Sequence, residues 1–114
     1  TLSLWGGNFG TDLTIVSKLV NLQNLFVNDE FVTSLSGIEN LQRLEVFCMD
    51  GTNATDISPL TKLPRLQVVR LQGVPIVEFA PLFSCHSLQE VAADSRQKEK
   101  IEQLGDPFFM IFVE

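Results

Sequence analysis

The sequence predicts an α/β fold: a right-handed solenoid with a parallel sheet on its concave face and short 3₁₀ or α turns on its convex face. Three observations predict it. Four hexapeptides begin Leu-Gln and continue apolar at their fourth and sixth places, apolar residues recur at steps of three ahead of each block, and the blocks return on average every 22 residues. A single coil of this kind cannot bury its apolar columns, so coils must stack to share one core.

The four blocks are Leu22-Gln23-Asn24-Leu25-Phe26-Val27, Leu41-Gln42-Arg43-Leu44-Glu45-Val46, Leu66-Gln67-Val68-Val69-Arg70-Leu71 and Leu88-Gln89-Glu90-Val91-Ala92-Ala93. Their starts lie 19, 25 and 22 residues apart. The fourth and sixth places point to one face of a short strand, because side chains alternate along it. Three residues ahead stand Leu19, Ile38, Leu63 and Cys85; six ahead, Val16, Leu35, Leu60 and Leu82; nine ahead, Leu13, Val32, Ile57 and Phe79. Steps of three fit a 3₁₀ or α turn on the far side of each coil. Ser58 is placed to cap the third turn and Pro59 suits its first position, a placement that Pro81-Leu82 repeats one coil later. On this phasing the length differences sit in one connection per repeat. Leu2 and Leu4 open the chain as a partial copy, so residues 1–94 hold one partial and four full coils.

Residues 95–114 break the pattern. Asp94 is placed to cap a short helix over 96–104 with Ile101 and Leu104 facing inward, and Gly105 and Pro107 end it. The apolar run 108–113 then predicts a last parallel strand, and the segment as a whole a C-terminal cap over the open end of the core. Nothing comparable precedes the first strand, which leaves it as an exposed edge, a homodimer contact or the cut point of a longer array.

These columns resemble the leucine-rich-repeat family, and within it the short, roughly 22-residue, internalin-like class. The resemblance covers residues 1–95. It implies the solenoid and a surface that binds another protein: a bacterial effector or surface-protein recognition domain, or an inhibitor or immunity-type protein that plugs a basic enzyme, as leucine-rich repeats do in ribonuclease inhibitors. One departure stands out. The asparagine that the family carries after the strand is replaced by Glu30, Met49 and Val74, so its internal asparagine ladder is largely missing.

Composition narrows the function classes. Fourteen acidic against eight basic residues, a formal charge of −6, oppose a phosphate backbone and make nucleic acid a poor partner. No apolar run approaches the roughly 18 residues of a membrane span, and no basic segment leads into a signal-peptide core. The chain opens on Thr1 without an initiator Met, as a processed or trimmed piece would. Two cysteines, Cys48 and Cys85, have neither CxxC nor Cys/His ligand spacing and favour a reducing, cytoplasmic setting over secretion. No acid–base pair, metal-ligand cluster or glycine-rich phosphate loop appears, so the expectation is a binding protein without cofactor, metal or catalytic residue.

The third, fifth and seventh places of each block project from the concave face. There Trp5, Phe26 and Phe47 fall on successive strands as an aromatic hot spot, with Asn28, Arg43, Glu45, Arg70, Gln72 and Asp94 around them. The competing reading is that these aromatics pack on one another or are covered by an N-terminal segment that precedes Thr1. Lesser features read as structure: His86 as a solvated turn residue, Cys85 as core, Cys48 as a partly exposed thiol that nothing activates, and the Lys98 and Lys100 charges as a solvated helix face. Asp50, Asn53 and Asp56 do not follow the order of an EF-hand, and Asn53-Ala54-Thr55 is a bare glycosylation triplet.

Overall fold

The computed structural model describes residues 1–5 and 10–113. Among these, six strands form one parallel sheet in chain order: β1 (Leu2–Trp5), β2 (Asn24–Asn28), β3 (Val46–Cys48), β4 (Val68–Arg70), β5 (Glu90–Ala93) and β6 (Met110–Val113). Each of the first four crossovers described carries a 3₁₀ turn, at Thr14–Val16, Ile38–Asn40, Ser58–Lys62 and Ala80–Ser84. The fifth carries helix α1 (Ser95–Glu102). This is the predicted solenoid, but its phase differs from the predicted one in the second coil.

The strand register decides the phase. Leu25 pairs with Phe47, Phe47 with Val69 and Val69 with Val91, so one core column steps by 22 residues without exception. The second block therefore starts at Leu44, not Leu41, and the starts are Leu22, Leu44, Leu66 and Leu88. The expected 19- and 25-residue spacings were a three-residue slip. Its cause is physical: apolar residues at steps of three run from the convex turn straight into the strand, so L-x-x-L recurs when the frame moves by three. The last strand column, Val27, Met49, Leu71 and Ala93, breaks that degeneracy, and all four are buried.

With the phase corrected, the convex columns also become regular. Leu13, Leu35, Ile57 and Phe79 form one, and Val16, Ile38, Leu60 and Leu82 the next, all buried. Polar residues keep the same period. Asp12, Ser34, Asp56 and Glu78 each accept a hydrogen bond from the backbone N–H two residues on, at 3.0, 3.1, 2.9 and 3.0 Å; in the first, third and fourth coils that N–H belongs to the first residue of the 3₁₀ turn, and in the second it lies two residues ahead of it. Ser58 is thus not the cap; it is the first residue of its turn and donates its N–H to Asp56. Those bonds hold the Asp56 carboxyl below its ordinary range.

The asparagine-ladder position also moves. It is occupied by Glu30, Thr52 and Val74, since Met49 is a core residue. Thr52 is buried and donates its hydroxyl to the Met49 carbonyl at 2.8 Å. One coil later Gln97, buried on α1, donates Nε2 to the carbonyls of Leu71 (2.7 Å) and Val74 (3.0 Å). Buried carbonyls need such partners, and here a helix side chain supplies what the strand loop lacks.

The C-terminal segment partly departs from expectation. Asp94 caps α1 in a reciprocal box with Gln97, and Ile101 is buried. Leu104, expected inside, is 49% exposed, because the helix ends at Glu102 and the chain has already turned outward. In the predicted apolar strand only Phe109 is buried and Ile111 packs against the core, with Phe83 and Phe108 at ring distances of 5.5 and 5.3 Å from Phe109. Phe108, Met110, Phe112 and Val113 stay exposed, since β6 is itself the outer edge of the sheet.

Candidate functional site: the concave strand face

Side chains that do not enter the core stand on the opposite face of the sheet in rows set by the register. One row runs Asn24, Val46, Val68, Glu90, Met110; beside it runs Ser3, Phe26, Cys48, Arg70, Ala92, Phe112. Asp50 and Gln72 follow β3 and β4. The Asp50 carboxylate accepts from Arg70 at 3.3 Å and from the backbone N–H of Gln72 at 2.9 Å, tying two neighbouring coils together. Arg70 is consequently held in place over the sheet rather than swinging in solvent.

Two cavities open on this face, with Arg70 as their shared wall. One, of about 220 Å³, lies among Phe26, Asn28, Cys48, Asp50 and Arg70. The other, of about 250 Å³, lies among Val68, Arg70, Glu90, Ala92 and Phe112. Burial pushes the Cys48 thiol above its ordinary value, which disfavours the thiolate.

The predicted site residues divide. Phe26, Asn28 and Arg70 lie on or beside the strand face as expected. Trp5 closes β1 in register with Asn28, and its side chain lies outside the described residues. Phe47 does not face solvent: it is a fully buried core residue, the partner in register of Leu25 and Val69. The three-residue slip put it on the wrong face, since an odd shift along a strand exchanges its two sides. The same slip misplaced Arg43 and Glu45, which precede β3 in the turn and its exit. Gln72 takes part through its backbone, and Asp94 is engaged as the cap of α1, accepting from the Gln97 N–H at 2.8 Å. Residues missed were Val46, Cys48, Asp50 and Phe112, and a strict 22-residue frame would have found all but the last; Ala92 stands at the fifth place of its block as expected.

The lesser candidates do not converge. Asp50 pairs with Arg70, the Asn53 amide donates to the Glu30 carbonyl at 2.8 Å, and Asp56 opens a turn. Among the described residues no three His, Cys, Asp or Glu side chains cluster as a metal site. His86 is an exposed turn residue, and Cys85 is buried with its thiol pushed up to about 11 by desolvation. Among the described residues no helix is long and apolar enough to cross a membrane.

No family model and no curated protein sequence matches the chain. Solved structures do. An internalin (inlF) from Listeria monocytogenes superposes with a TM-score of 0.56 at 23% identity, over 74% of this chain and 32% of that one. An internalin C2 (inlC2) from the same organism gives 0.56 at 24% identity, over 81% of this chain and 51% of that one. The chain thus spans about a third to a half of the internalins it resembles. The likeness shows the fold: an internalin-like leucine-rich-repeat solenoid.

Proposed function

We propose that this leucine-rich-repeat solenoid is a protein-interaction module that binds a partner through its concave strand face. The observation that carries the reading is the row Phe26–Cys48–Arg70–Ala92–Phe112, in which two half-open cavities flank an arginine already held by Asp50. Such a surface offers apolar depth with a fixed polar centre, the make-up of an interface core. It presents no converging acid, base and nucleophile, and we read it as binding rather than catalytic.

Charge supports a basic partner. Asp50, Glu90 and Asp94 stand against Arg70 on or beside this face, and the chain carries −6 overall. An acidic surface steers a basic protein toward it and accelerates encounter. This matches the inhibitor or immunity reading, in which the solenoid covers a basic enzyme. Both cysteines are free, which fits a reducing compartment.

The test compares affinity capture by the wild type, by a concave variant (Phe26→Ala with Arg70→Glu) and by a convex variant (Lys62→Glu with Thr61→Ala). A protein retained by the wild type and the convex variant but lost by the concave one supports the reading. Loss from neither, or from the convex variant alone, overturns it. Self-association through β1 is a second reading, favoured by that strand's place at the sheet edge with Leu2 and Leu4 only half-buried. It is checked by light scattering across a concentration series.

A further inference from the structure

The apolar columns of the stack lose their cover at its two ends. Ten large apolar side chains stay exposed among the described residues, and only Phe31 and Val77 of them lie between the first crossover and the segment after α1. Leu19 is 46% exposed, whereas Leu41, Leu63 and Cys85 in the same column are exposed by 0, 2 and 2%. Leu2, Leu4 and Leu22 are half-buried, although their column mates in the coils that follow are enclosed. At the far end Ile111 is half-buried and Val113 is 44% exposed, while Val91 and Ala93, their partners in register, are fully enclosed.

The two ends are complementary rather than alike. A parallel sheet has two different edges: β1 leaves free the one that faces a preceding coil, and β6 the one that faces a following coil. Leu2 and Leu4 stand in the same two core columns as Ile111 and Val113. Strand β6 carries neither a charge nor a proline that would guard its edge against another strand. The segments that lead into the strands match as well. Residues 17–23, ahead of β2, expose Leu19 and Val20 beside one charge, Lys18. Residues 103–109, ahead of β6, expose Leu104 and Phe108 beside Asp106, with Glu102 at the end of α1. Both segments lie on the side of the coil from which strands are entered. Stacking in the solenoid's own direction therefore sets apolar on apolar and Lys18 toward two carboxylates. Joining two β6 edges, or two β1 edges, turns one copy end for end and sets each of these segments against the strand-exit side of the other.

We propose that this chain binds a second copy of itself end to end, β6 of one copy pairing in parallel with β1 of the next. Leu2 and Leu4 then continue the columns of Ile111 and Val113. The crossover that separates consecutive strands elsewhere is absent between the copies. Leu104 and Phe108 fill its space, against the hollow of about 450 Å³ bounded by Thr1, Leu19, Val20 and Leu22. Such stacking is independent of the concave-face reading; it rests on association through β1 and names the surface that meets it. Each contact engages roughly ten residues a side, about half of a standard interface, so its dissociation constant falls in the micromolar range or above. A head-to-tail contact also leaves a free end at each step, so copies add one by one.

Sedimentation equilibrium from roughly 10 μM to 1 mM reads the association, and the average mass is expected to rise past that of a dimer without a plateau. Two variants block one end each at exposed positions: Leu19→Asp with Val20→Asp, and Phe108→Asp with Val113→Asp. Each alone is expected to stay monomeric, and an equimolar mixture to form a one-to-one dimer, because each supplies the end that the other lacks. If the first variant still dimerises by itself, two β6 edges are pairing and the proposal falls. If the second does so, two β1 edges are pairing: the proposal falls and association through β1 stands. A wild type that stays monomeric throughout overturns both. Charge variants carry the test where a blocked end fails to fold. Lys18→Glu is expected to weaken association roughly threefold, and mixing it with Glu102→Lys and Asp106→Lys to restore it. Unchanged association of both charge variants overturns the proposal. Phe26→Ala with Arg70→Glu is expected to leave self-association as it is, so the concave-face reading stands or falls by capture alone.

Discussion

Phe26 and Phe47 look alike in the sequence, and the difference between them is the difference between surface and core. Phe47 is wholly enclosed, in register with Leu25 and Val69, whereas Phe26 is half-buried on the opposite side of the sheet. Phe47→Ala leaves a cavity that its neighbours cannot fill, and urea unfolding is expected to show a loss of about 3–5 kcal/mol. Phe26→Ala is expected to change stability by no more than about 1 kcal/mol. Cys85 gives a second residue-scale prediction. Its thiol is raised from 9.0 to about 11 because burial penalises the thiolate. An acid with a raised folded value contributes stability that is fully present below its unfolded value and lost as pH rises through the folded one. The difference in melting temperature between the wild type and Cys85→Ala is therefore expected to shrink on going from pH 8 to pH 11, with most of the change between 9 and 11.

At the scale of elements, the turns and α1 show how the coils close without an asparagine ladder. Asp12, Ser34, Asp56 and Glu78 hold the backbone at or just ahead of the four 3₁₀ turns at one period, a pattern open to sequence reading once the 22-residue frame is known. The use of Gln97 was not. It sits on α1, 23 and 26 residues from the Val74 and Leu71 carbonyls it satisfies, and no local signal joins them. Gln97→Leu keeps most of the volume but leaves those buried carbonyls unpaired and breaks the box with Asp94, so a loss of about 1–3 kcal/mol is expected in denaturant titration. Asp94→Ala removes only the cap, and should cost about 0.5–2 kcal/mol.

The whole molecule is a stack in which each coil touches its neighbours, so a complete repeat is a removable unit. Deleting residues 44–65 joins Arg43 to Leu66 and keeps every column in register. That chain is expected to retain strand signal in circular dichroism and a cooperative, lower melting transition. Deleting residues 41–65, the interval between the two Leu-Gln pairs, removes one convex leucine and shifts the columns by three; it is expected to give no cooperative melt. The pair of deletions tests the period independently of any side-chain contact. The same stacking explains the exposed Met110, Phe112 and Val113, which lie on β6 at the sheet's edge, and Phe108 just before it. An apolar composition predicted a strand there, but composition says nothing of whether a neighbour covers it.

Periodicity alone determined the solenoid, its parallel strands, its convex turns and the capped helix at its end, because each is a local consequence of where apolar and capping residues recur. Three-fold spacing, however, is ambiguous to a shift of three, and the Leu41 and Leu44 frames compete on nearly equal terms in the chain. Only pairing between strands resolves that choice, since hydrogen bonds between β2, β3 and β4 leave one register in which every inward column is apolar. That register moved Phe47 into the core, brought Cys48 and Asp50 beside Arg70, and extended the face beyond Ala92 to Phe112. The site is thus a property of alignment across coils, which neighbouring residues in sequence do not encode.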